Sequence, residues 1–356
     1  MYDVIKYARS IEEPNKELQE ETEKYIDNLT KPIGALGELE NIVIRLAGIQ
    51  GTRNVSIDKK VVVIMCADNG VYDEKVSECP QEVTWQVTHN FTRGITGINR
   101  MTQFSKSDIH VVDIGVKGEL HTTLVHNRKI KEGTDNICLG PAMTKEEAEK
   151  AIWTGIEETE RLIKEGYQVF GTGEMGVGNT TTSAAVLSVL TGESVETVTG
   201  RGSGVKDDTF NRKMQVINRA ISVNKPSQED VIDVLAKVGG LDIAGLCGVF
   251  LGAAKNKKAV VIDGFISAVA ALCAYKIEPK SVLYMFPSHL SKETGMSKAM
   301  DALGMQPYFH TGMRLGEGTG CTLTFQLMDM ALYTLSTMGS FEDASVDKSN
   351  YIGIWK

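Results

Sequence analysis

The chain has 356 residues, 42% of them hydrophobic, and a formal charge of -8 from 38 Lys and Arg against 46 Asp and Glu. That length exceeds one typical domain and is enough for a substantial core. The acidic balance excludes a general nucleic-acid or membrane-surface binder, so an anionic ligand has to be met locally.

The predicted elements begin with a charged helical stretch over 12–29 and an amphipathic one over 38–49, apolar at Leu39, Ile42, Val43, Leu46 and Ile49. The start carries no basic and then apolar leader pattern, and no apolar run is long enough for a bilayer, so a cytoplasmic protein without membrane association is expected. A β-branched run at 61–67 stops at Asp68-Asn69-Gly70, the first of six such runs that end at Gly, Asp, Ser or His. The others are 110–114, 168–170, 259–262, 281–286 and, less clearly, 307–310. Runs of this kind predict buried parallel strands. Helical patterns at 181–190, 241–254 and 265–275 fall between them, and 319–338 is apolar almost all round, which suits a core or a subunit interface. The alternation predicts an α/β fold with a largely parallel sheet flanked by helices, and ligands in such folds gather beyond the carboxyl ends of the strands. The six cysteines (Cys66, Cys79, Cys138, Cys247, Cys273, Cys321) include no C-x-x-C pair and read as reduced, mostly buried thiols.

Four stretches carry chemistry. After the first strand, Pro80 fixes the backbone between Ser77 and Gln86, and the residues that follow could wall an apolar slot; Trp85 is better suited to the core. Residues 171–182, GTGEMGVGNTTT, read as a strand-to-helix loop that presents N–H groups to a phosphate. It nearly makes a P-loop but has Asn179 where that motif needs a lysine, so a smaller anion than a triphosphate is expected. Glu174 within it suits a sugar hydroxyl or a developing positive charge better than a phosphate. Residues 200–206, with Gly202, Ser203 and Gly204, form a second flexible loop, and Lys213, Arg314 and Lys292 supply cations for one phosphomonoester. His289 and Ser291 follow a strand without a G-x-S-x-G elbow, and no metal spacing occurs among the six histidines, so neither a hydrolase triad nor a zinc site is expected. Asp263 and Asp242 each read as a helix cap first and a ligand contact second. The fourth stretch, Met313-Arg314-Leu315-Gly316-Glu317-Gly318-Thr319-Gly320, sets a carboxylate between glycines ahead of a long helix. There Glu317 is either a base or a helix cap.

Taken in order, several stretches resemble the nicotinate-nucleotide:dimethylbenzimidazole phosphoribosyltransferase family nearly end to end. They are Leu29-Thr30-Lys31-Pro32, Ala67-Asp68 with Gly70, Pro80-Gln81-Glu82-Val83-Thr84, Gly173-Glu174-Met175-Gly176, Gly178-Asn179-Thr180-Thr181, Asp263-Gly264-Phe265-Ile266, Ser288-His289 and Arg314-Leu315-Gly316-Glu317-Gly318-Thr319-Gly320. The resemblance implies a Rossmann-like large domain over 60–320, a small helical domain from 1–59 plus 321–356, and a homodimer. It also implies a reaction without metal or organic cofactor, in which nicotinate mononucleotide and a benzimidazole-type base give an α-riboside phosphate. Glu317 would be the general base and Glu174 a supporting carboxylate. Gly176, Gly178, Asn179, Thr180, Gly202, Ser203, Gly204, Lys213, Ser291, Arg314, Leu315 and Gly316 would meet phosphate and ribose, Ser77, Pro80 and Gln86 the base, with Asp263 and Asp242 in support. Burial is expected to raise the pKa of Glu317.

Glu78-Cys79, Asn69 and His310-Thr311-Gly312 depart from the family's usual residues. These departures leave open an adenine or phenolic acceptor. A phosphate-binding nucleotidase or kinase, and a non-catalytic nucleotide-binding module, are the readings from other classes.

Overall fold

The computed structural model describes residues 2–202 and 204–347. Its centre is a sheet of six parallel strands, β1 (Lys60–Ala67), β2 (Asp108–Gly115), β3 (Val125–Asn127), β4 (Val169–Met175), β5 (Ala259–Val261) and β6 (Met285–Phe286), in the order β3-β2-β1-β4-β5-β6. Every residue of β1 is buried, as a strand covered on both faces requires. The order reverses between β1 and β4, and at such a switch point the loops leaving two adjacent strands diverge and open a crevice.

Side chains alternate across the sheet, so the register separates the two layers of helices. Val62 pairs with Gly171 and Ile64 with Gly173, and this face receives the Thr319–Thr337 helix. A Cβ on Gly171 would lie 2.8 Å from that of Cys321, and one on Gly318 would lie 2.3 Å from Val62 Cγ1. Met65, of the opposite parity, meets the Leu241–Lys255 helix at Gly245. That helix is buried along nearly its whole length because a second one, Lys145–Lys164, crosses it at glycines. A Cβ on Gly248 would come within 1.9 Å of the Ile152 carbonyl oxygen.

The chain ends meet. Thr30 N donates to Gly339 O (2.9 Å) and Phe341 N to Asn28 O (3.1 Å), and buried Lys31 and Glu40 form an ion pair at 2.8 Å. Helix Glu38–Gln50 packs on Thr319–Thr337 and on Lys16–Asp27.

Two expected elements differ, and one strand was not expected. Residues 307–310 form no strand, because Phe309 makes only an isolated bridge to His289. Most of 281–286 is a 3₁₀ helix, Pro279–Tyr284, which leaves two residues for β6. β3 has no counterpart among the predicted strands, since among its three residues only Val125 is buried. Five of the six cysteines are buried.

Candidate active site

A cleft of about 280 Å³ opens beyond the carboxyl ends of β1, β4 and β5. Its floor is acidic. Glu174 is the sixth residue of β4, so it belongs to the strand and not to the loop expected from the sequence. Its parity turns it towards the Leu241–Lys255 helix, where the Asn179 amide donates to Glu174 Oε2 and, at 3.0 Å, to Asp242 Oδ2. One amide group thus bridges two buried carboxyls. Burial first, then the nearby Asp242, Asp263 and Glu317, pushes Glu174 up to about 8 against the pull of Asn179. Burial likewise takes Asp242 up to about 6. At neutral pH this floor holds protons that exposed carboxylates would have released.

Glu317 enters from the opposite wall. Gly316, Glu317 and Gly318 have φ of 79°, 61° and 87°, three left-handed residues in succession. For glycine that conformation is free, whereas for Glu317 it costs roughly 1 kcal/mol. The glycines are also needed for space. A Cβ on Gly316 would lie 2.4 Å from Glu174 Oε1, and one on Gly173 would lie 2.6 Å from Glu317 O. The Glu317 side chain does not cap its own helix, whose N-cap is Gly318; its Oε2 accepts instead from Ile98 N (3.4 Å), in the first turn of the Gly97–Ser105 helix. Burial raises its pKa despite that donor.

The helix that follows is capped from elsewhere. Asp263, two residues beyond β5, accepts from Gly318 N at Oδ2 (3.1 Å) and from Gly320 N at Oδ1 (2.6 Å). It does not cap the Phe265–Ile277 helix as the sequence suggested, because Gly264 occupies that N-cap position. Burial pushes Asp263 up to about 7 against the two amide donors.

The other end of the cleft is cationic. Lys213 is almost wholly buried, and its Nζ donates to Thr180 Oγ1 (2.8 Å) and Gly200 O (3.1 Å). Burial brings it down to about 8. Arg314 donates to Gly202 O (3.3 Å), tying the 200–206 loop to the loop that carries Glu317. Gly178 is the N-cap of the Asn179–Thr191 helix and lines the same end of the cleft with Asn179 and Thr180; the Asn179 and Thr181 amides are given to Gly176 O (3.1 Å) and Gly178 O (2.9 Å). The arrangement can hold a dianion at one end and stabilise positive charge at the other, with a half-buried carboxylate between them.

A family model described as "Phosphoribosyltransferase" matches residues 11–346. Nicotinate-nucleotide–dimethylbenzimidazole phosphoribosyltransferase of Ruminiclostridium cellulolyticum is 52% identical over 95% of this chain and 96% of its own. The protein of the same name from Acetivibrio thermocellus is 49% identical over 96% and 97%. This chain belongs to that phosphoribosyltransferase family. The crystal structure of CobT from Thermus thermophilus superposes with a TM-score of 0.90 at 39% identity, covering 94% of this chain and 100% of the other.

Most residues singled out from the sequence come together in this phosphoribosyltransferase. Glu174, Glu317, Asp263, Ser77, Gly176, Gly178, Asn179, Thr180, Gly202, Lys213, Ser291, Arg314, Leu315 and Gly316 all line the cleft. Pro80 and Gln86 do not line it and are exposed. On the Glu82–Thr92 helix the cleft instead receives Val83 and Val87, four residues apart on one face, a spacing visible in the sequence. Gly204 and Lys292 are exposed and do not line it, Asp242 is buried behind the lining, and Ser203 falls outside the described residues. Trp85 packs against the core, with its indole N–H on Glu119 O (3.0 Å). His289 lines the cleft as a buried imidazole 3.2 Å from Ser288 Oγ.

Among the described residues one trio, His110, His126 and Glu158, brings potential metal donors within 4.8 Å of one another. It forms at the β2–β3 edge, away from the cleft, from two strands and a helix that no sequence spacing could link. Arg128 (2.8 Å) and Arg161 (3.1 Å) already occupy the Glu158 oxygens, so the trio is a charge-satisfied network.

Proposed function

We propose that this chain transfers the phosphoribosyl group of nicotinate mononucleotide to 5,6-dimethylbenzimidazole or a related lower-ligand base. The products are α-ribazole 5′-phosphate and nicotinate. The observation that carries the reading is the division of one cleft between the Lys213, Thr180 and Arg314 end and the Glu174, Glu317 and Asp263 end.

The pyridinium of the donor is a cationic leaving group, so its departure needs little acid help and leaves positive charge on the ribose. Glu174 faces that charge. Developing cationic character at the sugar favours the ionised form of a carboxyl that burial otherwise keeps protonated, so the stabilisation is larger in the transition state than in the ground state. Lys213, Thr180 and Arg314 anchor the phosphate and fix the reacting carbon. Val83 and Val87 offer the apolar wall that an aromatic base needs. Attack by one imidazole nitrogen from the face opposite the nicotinate inverts the β-linkage to α. Glu317 takes the proton from the other nitrogen, so that the product is not left as an azolium; a positioned base of this kind typically contributes about 10² to 10⁴-fold. The carboxylates and the phosphate anchor supply each of these requirements.

We further propose that the chain divides into an α/β unit over 60–320 and a helical unit from 1–59 with 321–356, and that it works as a homodimer in the cytoplasm. Phe104, Met330 and Tyr333, exposed on two helices that pack together, support self-association.

The deciding experiment incubates the purified protein with nicotinate mononucleotide and an equimolar mixture of dimethylbenzimidazole, adenine and phenol, and identifies the products. An α-linked riboside phosphate of one base, lost in Glu317→Ala, is expected. Nucleotide bound without transfer to any base would overturn the assignment.

A further inference from the structure

We propose that Asp263 is a positioning residue for the transfer step: by accepting the Gly318 and Gly320 amides it locks the left-handed run that aims the Glu317 carboxylate into the cleft. This inference rests on Glu317 being the base. Its ground is that Asp263 is itself held at three points. Its backbone N donates to Ser267 Oγ (3.1 Å), its carbonyl accepts from Ser288 Oγ (2.8 Å), and its carboxylate takes the two glycine amides. Ser267 is tied in turn to Thr172 of β4 at 2.6 Å. A carboxylate fixed to the sheet thus grips the residues directly after Glu317 on both of its oxygens.

The local chain closes one turn across Glu317, with Gly316 O accepting from Thr319 N (3.1 Å) and Thr319 Oγ1 (2.8 Å), but that turn does not fix it to the sheet. A left-handed run with a non-glycine at its centre relaxes towards ordinary backbone angles unless its surroundings over-determine it. The glycine at 318 is free to rotate, and the Glu317 side chain makes a single long bond, at 3.4 Å, to Ile98 N. The amides on Asp263 are the contacts that tie this turn, and the base on it, to the sheet. Two amides on one carboxylate also remove orphan donors from the start of the Thr319–Thr337 helix, a cap normally supplied by the N-cap side chain, which Gly318 lacks. The groups around Asp263 are Glu317, Glu174 and the Cys321 thiol, with the His289 ring against Gly320.

The test is a cycle of Asp263→Asn, Glu317→Ala and the double variant, assayed with nicotinate mononucleotide and dimethylbenzimidazole across pH. Asparagine keeps the shape but turns one acceptor into a donor. In the native background kcat is expected to fall about 10²-fold, with KM for the nucleotide within about threefold. In the Glu317→Ala background the same change should alter the residual kcat by less than about twofold. Equal losses in both backgrounds, or a native rate in Asp263→Asn, would overturn the proposal. A native rate in Glu317→Ala would instead remove the base assignment, a different failure. If Asp263→Asn does not fold, the Gly318 and Gly320 amide proton resonances of the native chain are followed across pH. They should move downfield together as Asp263 ionises, and amides that do not respond would refute the clamp.

Discussion

Glu317 stands between two glycines because its backbone and both of theirs turn left-handed, and because Glu174 and Val62 leave no room for a Cβ on either neighbour. Its proposed role as base gives the first prediction. Glu317→Gln keeps the size and the Ile98 contact but cannot take a proton, so kcat should fall about 10² to 10⁴-fold with little change in nucleotide KM, as steady-state kinetics would show. Lys213 gives the second. A buried ammonium whose pKa is lowered to about 8 contributes unfavourably to the empty protein below that pH, and a bound phosphate dianion offsets the cost. Lys213→Met should therefore raise the melting temperature of the unliganded protein at pH 7 while weakening nucleotide binding about 10 to 100-fold by calorimetry. Residue types point to both sites before any geometry is known, since a carboxylate framed by glycines and a lysine after a glycine-rich loop are legible in one dimension. Gln86, which the family resemblance sets beside the base, does not line the cleft; on its helix the lining residues are Val83 and Val87, one turn apart.

At the scale of elements, the strand-to-helix turns do most of the positioning. β4 carries Gly171 and Gly173 on the face that receives the Thr319–Thr337 helix, so the two can approach at backbone distance. Gly173→Ala would put a methyl group 2.6 Å from Glu317 O, a backbone atom that cannot move without carrying the base with it. This variant should lose about 1–3 kcal/mol of stability in urea titration and a larger share of kcat than of nucleotide affinity. Elements with a strong apolar period are legible: 61–67, 241–254, 265–275 and 319–338 all fall on structure. Residues 307–310 have strand-like composition but find no neighbour beyond the His289 bridge, and β3 exists only because β2 offers it an edge. Pairing is a property of two segments, and composition describes one.

For the whole molecule, the acidic floor makes stability depend on pH in a direction opposite to that of ordinary surface carboxylates. Glu174 near 8, Asp263 near 7 and Asp242 near 6 all lie above their ordinary values. The folded protein therefore binds protons that the unfolded chain has released. Their contribution is fully present below about pH 4 and is lost as pH rises through the folded values, at a rate on the order of 1 kcal/mol per pH unit. The melting temperature of the empty protein should drop between pH 6 and 8.5, and Glu174→Gln should flatten that drop; a native profile that rises over this range would count against a proton-holding floor. By itself the sequence determined the parallel α/β class and singled out Glu174, Glu317, Lys213 and Arg314, which meet in one cleft, because burial of strands and freedom at glycines are written in local pattern. Only the tertiary structure decided which carboxylates share an environment. Glu174, Asp242, Asp263 and Glu317 come from four separate segments, and their proton affinities arise from mutual proximity and exclusion of water, neither of which exists until the sheet's switch point brings the strand ends together. For the same reason Asp263, read locally as a cap for its own helix, caps a helix more than fifty residues further on.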